Sequence, residues 1–343
     1  MKENTSRITI GGITVDFMDA SLKNSGDMSA AQLIIAVAGE QKSFRKYYGK
    51  EVIAYLNSED TYPFFRGYIM NVEITGEKGV RLTALDALGW LTGHQKATVF
   101  IPNLSNIDGY TVGGALKKLV SMANLTDKVG TDYIGDTSPV VTVRNNTRGN
   151  VVILEWLKKV IAGAIDINNP DLPRPNTVLV RDDGTKGQLN IDLVSDIDTS
   201  RAVFSFNRQN LINYNIKARK IPTTITVQGA RGVTGTYRNE SAALAYGDNF
   251  KNISNNNMTS PAACADFAHK VYDANISNQY EINIETFEGA YLLPNDVISI
   301  DVEESDISGK YRIIGKNVTF SPNKYSVSLS INRRPPILSD FIA

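Results

Sequence analysis

Histidine and cysteine are nearly missing from this chain, which has two histidines and one cysteine, Cys264, in 343 residues. A single cysteine excludes an intrachain disulfide framework and any metal site built from several thiolates. Two histidines leave acid–base chemistry short of its usual side chain. His94 and His269 fall in different predicted domains with no carboxylate spacing that links them. Cys264 lies on an apolar helix stripe, where a thiol packs as a small inert hydrophobe. An excess of either charge is absent as well. Lys plus Arg and Asp plus Glu number 36 each, so no global basic field exists to hold nucleic acid or an anionic membrane. No apolar run approaches the roughly 20 residues that span a bilayer. The opening residues 1–12 lack the apolar stretch of a secretory signal, which implies synthesis in a cytosol.

Catalytic signatures are also missing. The chain has no P-loop, no Gly-Xaa-Ser-Xaa-Gly elbow, no His-Glu-Xaa-Xaa-His and no EF-hand loop. Residues 229–235 (GARGVTG) lack the Lys-Ser/Thr of a phosphate loop and read as a glycine-rich exit from a strand. Asp182 and Asp183 sit before Gly184, where a hairpin turn favours them for backbone reasons alone. Glu303, Glu304 and Asp306 have no aromatic sugar platform nearby and read as a solvated loop. No catalytic, cofactor-binding or metal-binding residue is therefore expected, and the chain is not expected to be an enzyme.

What is present is β-structure, said twice. Residues 49–88 and 294–331 share one layout. An apolar strand (Val52–Tyr55, Val297–Ile300) leads to a polar hairpin and then to a Gly-led strand starting at Gly67 or Gly309. An Asn-Val pair follows (Asn71-Val72, Asn317-Val318), and then a third alternating strand. Tyr68, Met70, Val72 and Ile74 are expected on one face, as are Tyr325, Val327, Leu329 and Ile331. Two copies this far apart predict two like β-domains and not a solenoid.

Between them the pattern changes. Thr111 can cap a helix with Val112, Ala115, Leu116, Leu119 and Val120 inward, and Asn150 a second with Ile153, Trp156, Leu157, Val160 and Ile161 on one inward stripe. A hairpin over 177–193 follows. Ser260-Pro261 starts a helix over 261–275 with Cys264, Phe267, Ala268, Val271 and Tyr272 as its core stripe. The expected fold is mainly β with an α+β insertion: a β-domain at 1–95, an α+β domain at 96–200 and a second β-domain at 201–343 carrying that helix.

Charge is uneven. Residues 201–239 hold seven Lys/Arg and no acid, while 281–306 hold eight Asp/Glu and no base. These blocks either pair inside one domain or meet between subunits of an oligomer.

The order of these segments resembles bacteriophage tail baseplate hub proteins. The resemblance rests on residues 65–73 (FRGYIMNVE) and 80–88 (VRLTALDAL), then on the helix start at Tyr110-Thr111-Val112 and the hairpin at 178–193. It continues through Val227-Gln228-Gly229, the helix at 261–275, residues 293–298 (LPNDVI) and residues 309–314 (GKYRII). It covers nearly the whole chain. The resemblance implies two tail-tube-like β-barrel domains joined by the α+β domain, and assembly as a homotrimer. It implies a structural adaptor in the virion tail baseplate, made in the host cytoplasm. Tail tube or distal tail proteins would lie on one side and a central spike protein on the other, with baseplate wedge proteins as further partners and DNA passing through non-specifically. Long hubs of this family carry a cell-wall hydrolase, and no room for one is expected here. Two other readings stay open: a tail-associated cell-wall or glycan hydrolase, and a receptor- or carbohydrate-binding distal tail protein. Arg219 and Lys220 in the basic block and Glu303 and Glu304 in the acidic one are the candidate contacts between subunits.

Overall fold

The computed structural model describes residues 5–38, 46–57, 59–75, 79–92, 98–101, 107–141, 149–163, 175–193, 197–218, 221–255, 258–277, 280–302 and 308–332. The chain opens with Arg7–Ile10 (β1), Ile13–Thr14 (β2), Phe17–Ser25 (β3), Gln32–Ala38 (β4), Glu51–Tyr55 (β5), Phe65–Thr75 (β6) and Gly79–Leu85 (β7). Apolar residues alternate along these strands, so each buries one face. Leu33, Ile35 and Val37 of β4 meet Val80, Leu82 and Ala84 of β7 in the same cluster. Asp86 then ends the run: its carboxylate accepts the Leu88 N–H at 3.0 Å and caps a 3₁₀ turn over Ala87–Leu91.

The middle of the chain holds Thr98–Ile101 (β8), Val112–Met122 (α1), Gly149–Val152 (β9), Ile153–Gly163 (α2), Pro175–Asp182 (β10) and Gly187–Leu193 (β11). Thr111 caps α1 as expected, accepting the Gly114 N–H at 3.2 Å, and all five expected inward residues are buried. Asn150 does not stand next to the start of α2, where Val152 precedes Ile153. It lies in β9 opposite Phe100, and that β-branched strand runs straight into Ile153. Ile153, Leu157 and Ile161 are buried as the spacing predicts, in a second core shared with α1, the hairpin β10–β11 and residues 87–91.

The last third holds Phe204–Asn207 (β12), Leu211–Ala218 (β13), Thr224–Gln228 (β14), Thr234–Arg238 (β15), Glu240–Tyr246 (α3), Phe250–Ser254 (β16) and Pro261–Ser277 (α4). Tyr280–Thr286 (β17), Val297–Asp301 (β18), Gly309–Ser321 (β19) and Lys324–Asn332 (β20) complete it. Ser260 accepts the Ala263 N–H at 3.2 Å to start α4. Cys264, Ala268 and Tyr272 pack on Ile225 and Val227 of a three-stranded sheet ordered β15-β14-β16, a third small core.

The molecule is mainly β. One sheet of 13 strands gathers both ends of the chain in the order β13-β17-β20-β19-β3-β4-β7-β6-β5-β1-β2, with β18 on β19 and β12 on β18. N-terminal and C-terminal strands meet where β3 pairs with β19.

Candidate assembly surface

The run β3-β4-β7-β6-β5 has the same order and register as β13-β17-β20-β19-β18. One row across the first reads Leu22, Leu33, Ala84, Ile69; the matching row across the second reads Ile216, Ile282, Ile331, Ile313. Two β-bulges recur in step. Met18 and Ile212 are the extra residues of β3 and β13, and Met70 and Ile314 those of β6 and β19. The correspondence stops at the next strand, because β1 runs antiparallel to β5 while β12 runs parallel to β18.

This corrects the alignment read from sequence. Val52 corresponds to Ile298, not Val297; Gly67 to Tyr311, not Gly309; and Asn71 to Gly315, not Asn317. The hairpins between these strands differ in length, so a match by residue type slides by one or two places. A slip of one would turn a core residue outward, and Val52 and Ile298 are both fully buried. The bulge also breaks the expected single face of β6. Ile69 joins Val72 and Ile74 on the face of the large core, while Tyr68 and Met70 pack on the second.

β19 is the joint between the copies. Before its bulge, Gly309–Arg312 carry β18; beyond it, the same edge carries β3 from Gly315 opposite Ser25 to Phe320 opposite Ala20. β20 runs along the other edge. Core residues form an unbroken apolar row across the joint: Val327, Val318, Leu22, Leu33. Phe320 packs edge-on to Phe17 and Phe64, with ring centroids 5.6 and 5.1 Å away. A charged side chain is buried at the joint itself. Lys316, in the place that Val72 takes in the first copy, donates to the Ala290 carbonyl at 2.7 Å, and burial pushes its ammonium down to about 8.

Within the two repeated runs, two edges lack such a cover among the described residues. Beyond Met70, the edge of β6 that carries β5 has no further strand on it among the described residues. Ile74 faces the core side, opposite the buried Val80, yet is 43% exposed. β13 is the last strand at the other end of the sheet. Tyr214 and Ile216 lie opposite the buried Ile284 and Ile282, yet are 41% and 39% exposed. Their counterparts in β3, Ala20 and Leu22, are each 2% exposed because β19 covers them. Open edges with apolar core faces are templates for another strand. The sequence reading passed over these residues. The alternation of Ile212, Tyr214 and Ile216 with Asn213, Asn215 and Lys217 signals a strand, but only the sheet order marks it as an edge.

Solved structures fit this architecture. The tail protein from Neisseria meningitidis MC58 has a TM-score of 0.66 at 13% identity, over 98% of this chain and 99% of that one. The 43 kDa tail protein of prophage MuSo2 from Shewanella oneidensis has a TM-score of 0.64 at 12% identity, over 96% of this chain and 98% of that one. This chain has a phage tail-protein fold. A third tail-like structure is the E. coli c3393 protein, a type VI secretion component with structural similarity to T4 tail proteins gp27 and gp5. It has a TM-score of 0.57 at 10% identity, over 96% of this chain and 80% of that one. No family model and no curated protein matches the sequence.

Among the described residues no cluster of His, Cys, Asp or Glu could hold a metal ion. No described helix is long and apolar enough to cross a membrane. His269 stacks on Tyr237 with centroids 4.2 Å apart and stands 3.7 Å from Asp273, on an exposed helix face. His94, Arg219, Lys220, Glu303 and Glu304 lie outside the described residues. Of the two charge blocks, β13 and β17 pair within the chain, with Lys217 opposite Glu281.

Proposed function

We propose that the chain is the structural hub of a phage-type tail baseplate. Three copies close a ring around the tail axis. Each brings two equivalent β-modules, within residues 1–95 and 201–343, and the α+β segment 96–200 projects between them. Six like modules match a sixfold tail tube on one side, and three whole chains match a threefold spike on the other. The genome passes through the lumen, and the neutral balance of 36 cations against 36 anions suits a conduit that must not grip phosphates.

The observation that carries this reading is the five-strand arrangement repeated in register within one sheet. A chain that joins its own two modules edge to edge already contains one-third of such a ring. The fold shared with two bacterial tail proteins supports the placement in a virion tail. Contacts between Arg219 and Lys220 of one copy and Glu303 and Glu304 of the next belong to the same proposal. Reversing the charge at Arg219 and Lys220 without effect on assembly would remove them from it.

Native mass spectrometry of the purified chain, alone and with its tube protein, tests the ring. Assemblies in multiples of three 37.6 kDa chains are expected. Only monomers, or only assemblies whose copy number is not a multiple of three, would refute it.

A further inference from the structure

We infer that neighbouring copies of this chain join by pairing β13 of one with the end of β6 of the next, in the register that β3 and β19 use inside each chain. This rests on the ring reading and specifies its interface.

The two open edges are the counterparts of the two strands already joined. β13 repeats β3, down to the bulge at Ile212 and Met18, and β6 repeats β19, down to the bulge at Met70 and Ile314. Within the chain, Val318 lies opposite Leu22 and Asn317 opposite Lys23. Carrying that register over sets Ile74 opposite Ile216 and Glu73 opposite Lys217.

Side chains chosen for the interior of a single copy have no reason to match there, yet they match on both faces. The core row becomes Val80, Ile74, Ile216, Ile282, apolar throughout, which covers two residues left about two-fifths exposed. The outer row becomes Arg81, Glu73, Lys217, Glu281, in which charge alternates at every strand. Slipping the pairing by one residue would set an Ile against a charged partner and put the two apolar faces on opposite sides of the sheet. The occupant is thus a second copy and not an unrelated strand.

The test is cysteine cross-linking of full-length chain at the concentration where it assembles. Ile74→Cys with Ile216→Cys places two thiols directly opposite, within bridging distance. Ile74→Cys with Tyr214→Cys sets them two residues apart, and Cys264 is fully buried and stays as it is. Mild oxidation is expected to link the first pair into covalent trimers and the second at least fivefold less. A second readout keeps the result independent of packing at the cysteines: Glu73→Lys and Lys217→Glu each weaken assembly, and combining them with Arg81→Glu and Glu281→Lys, so that charge again alternates along the whole row, restores it. Trimers that form without the in-register link, or without rescue by the charge swap, overturn this interface and leave the ring standing. Failure to assemble at all overturns both.

Discussion

Met70 and Ile314 occupy the same place in two copies of one strand. Each is the extra residue at which the middle strand bulges, and at each the outer strand on one edge ends; beyond Ile314 β3 takes that edge. The bulge at Ile314 lets a single strand serve β18 on one half and β3 on the other without turning a core residue outward. Deleting Ile314 forces Val318 and Phe320, both buried, onto the outer face. Each such side chain is worth roughly 1.5–3 kcal/mol, against a total of about 5–15 for a domain. The deletion is expected to abolish cooperative thermal unfolding, whereas Ile314→Val should cost less than about 1.5 kcal/mol. A deletion variant that melts like the parent would show that the bulge has no such role.

Arg66 ties β6 to the hairpin β10–β11. Its Nε donates to Asp182 at 2.5 Å, Nη1 to Glu51 at 3.0 Å and Nη2 to the Gly184 carbonyl at 2.9 Å, with the side chain 8% exposed. Arg66→Ala would leave the largely buried Asp182 carboxylate without its cation, with only the Gly184 N–H still donating to it, and is expected to cost about 3 kcal/mol in urea denaturation. Arg66→Lys keeps the charge but not the planar fork, so it should recover less than half of that. An Arg66→Lys variant as stable as the parent would mean that charge alone matters.

Asp86 gives a pH dependence of known sign. Burial pushes its carboxyl up to about 7, against the pull of the backbone N–H groups that it accepts from. The unfolded chain releases this proton near 3.8, so between that pH and 7 the folded state binds more protons and stability falls as pH rises. Asp86→Asn keeps an acceptor for the Leu88 N–H without the charge. It should exceed the parent by on the order of 3 kcal/mol at pH 8, with the gap closing by pH 4. Urea curves at the two pH values check this, and a gap of constant size would contradict it.

Much of the architecture was legible because local rules governed it. Thr111 and Ser260 cap helices through their own hydroxyls, and the alternation in β20 buries Val327, Leu329 and Ile331. The duplication was legible as a layout but not as a register, since its equivalences depend on hydrogen-bond partners and not on residue type. Its outer two strands escaped altogether. Six residues separate β3 from β4, whereas the small sheet and α4 separate β13 from β17, so linear spacing hides their likeness. The open edges were illegible for a further reason. Ile216 and Leu22 look alike in sequence, and only the presence of β19 over one of them makes it interior.

Lys316 is the clearest departure of the second copy from the first, a buried amine where Val72 stands. Desolvation holds its pKa at about 8 against 10.5 in the unfolded chain, and Asp296 offsets only part of this. Between those values the unfolded state binds more protons, so this group makes stability rise with pH. Lys316→Met removes the desolvation cost but leaves the Ala290 carbonyl without its donor, a loss of roughly 1–3 kcal/mol. The variant should therefore match or slightly exceed the parent at pH 7 and fall below it at pH 10.5. The difference between the two should shift by on the order of 3 kcal/mol across that range. Chemical denaturation of both proteins at each pH measures it directly. Parallel curves would mean that Lys316 keeps its proton in the folded joint, and that a solvent path or a closer carboxylate compensates it there.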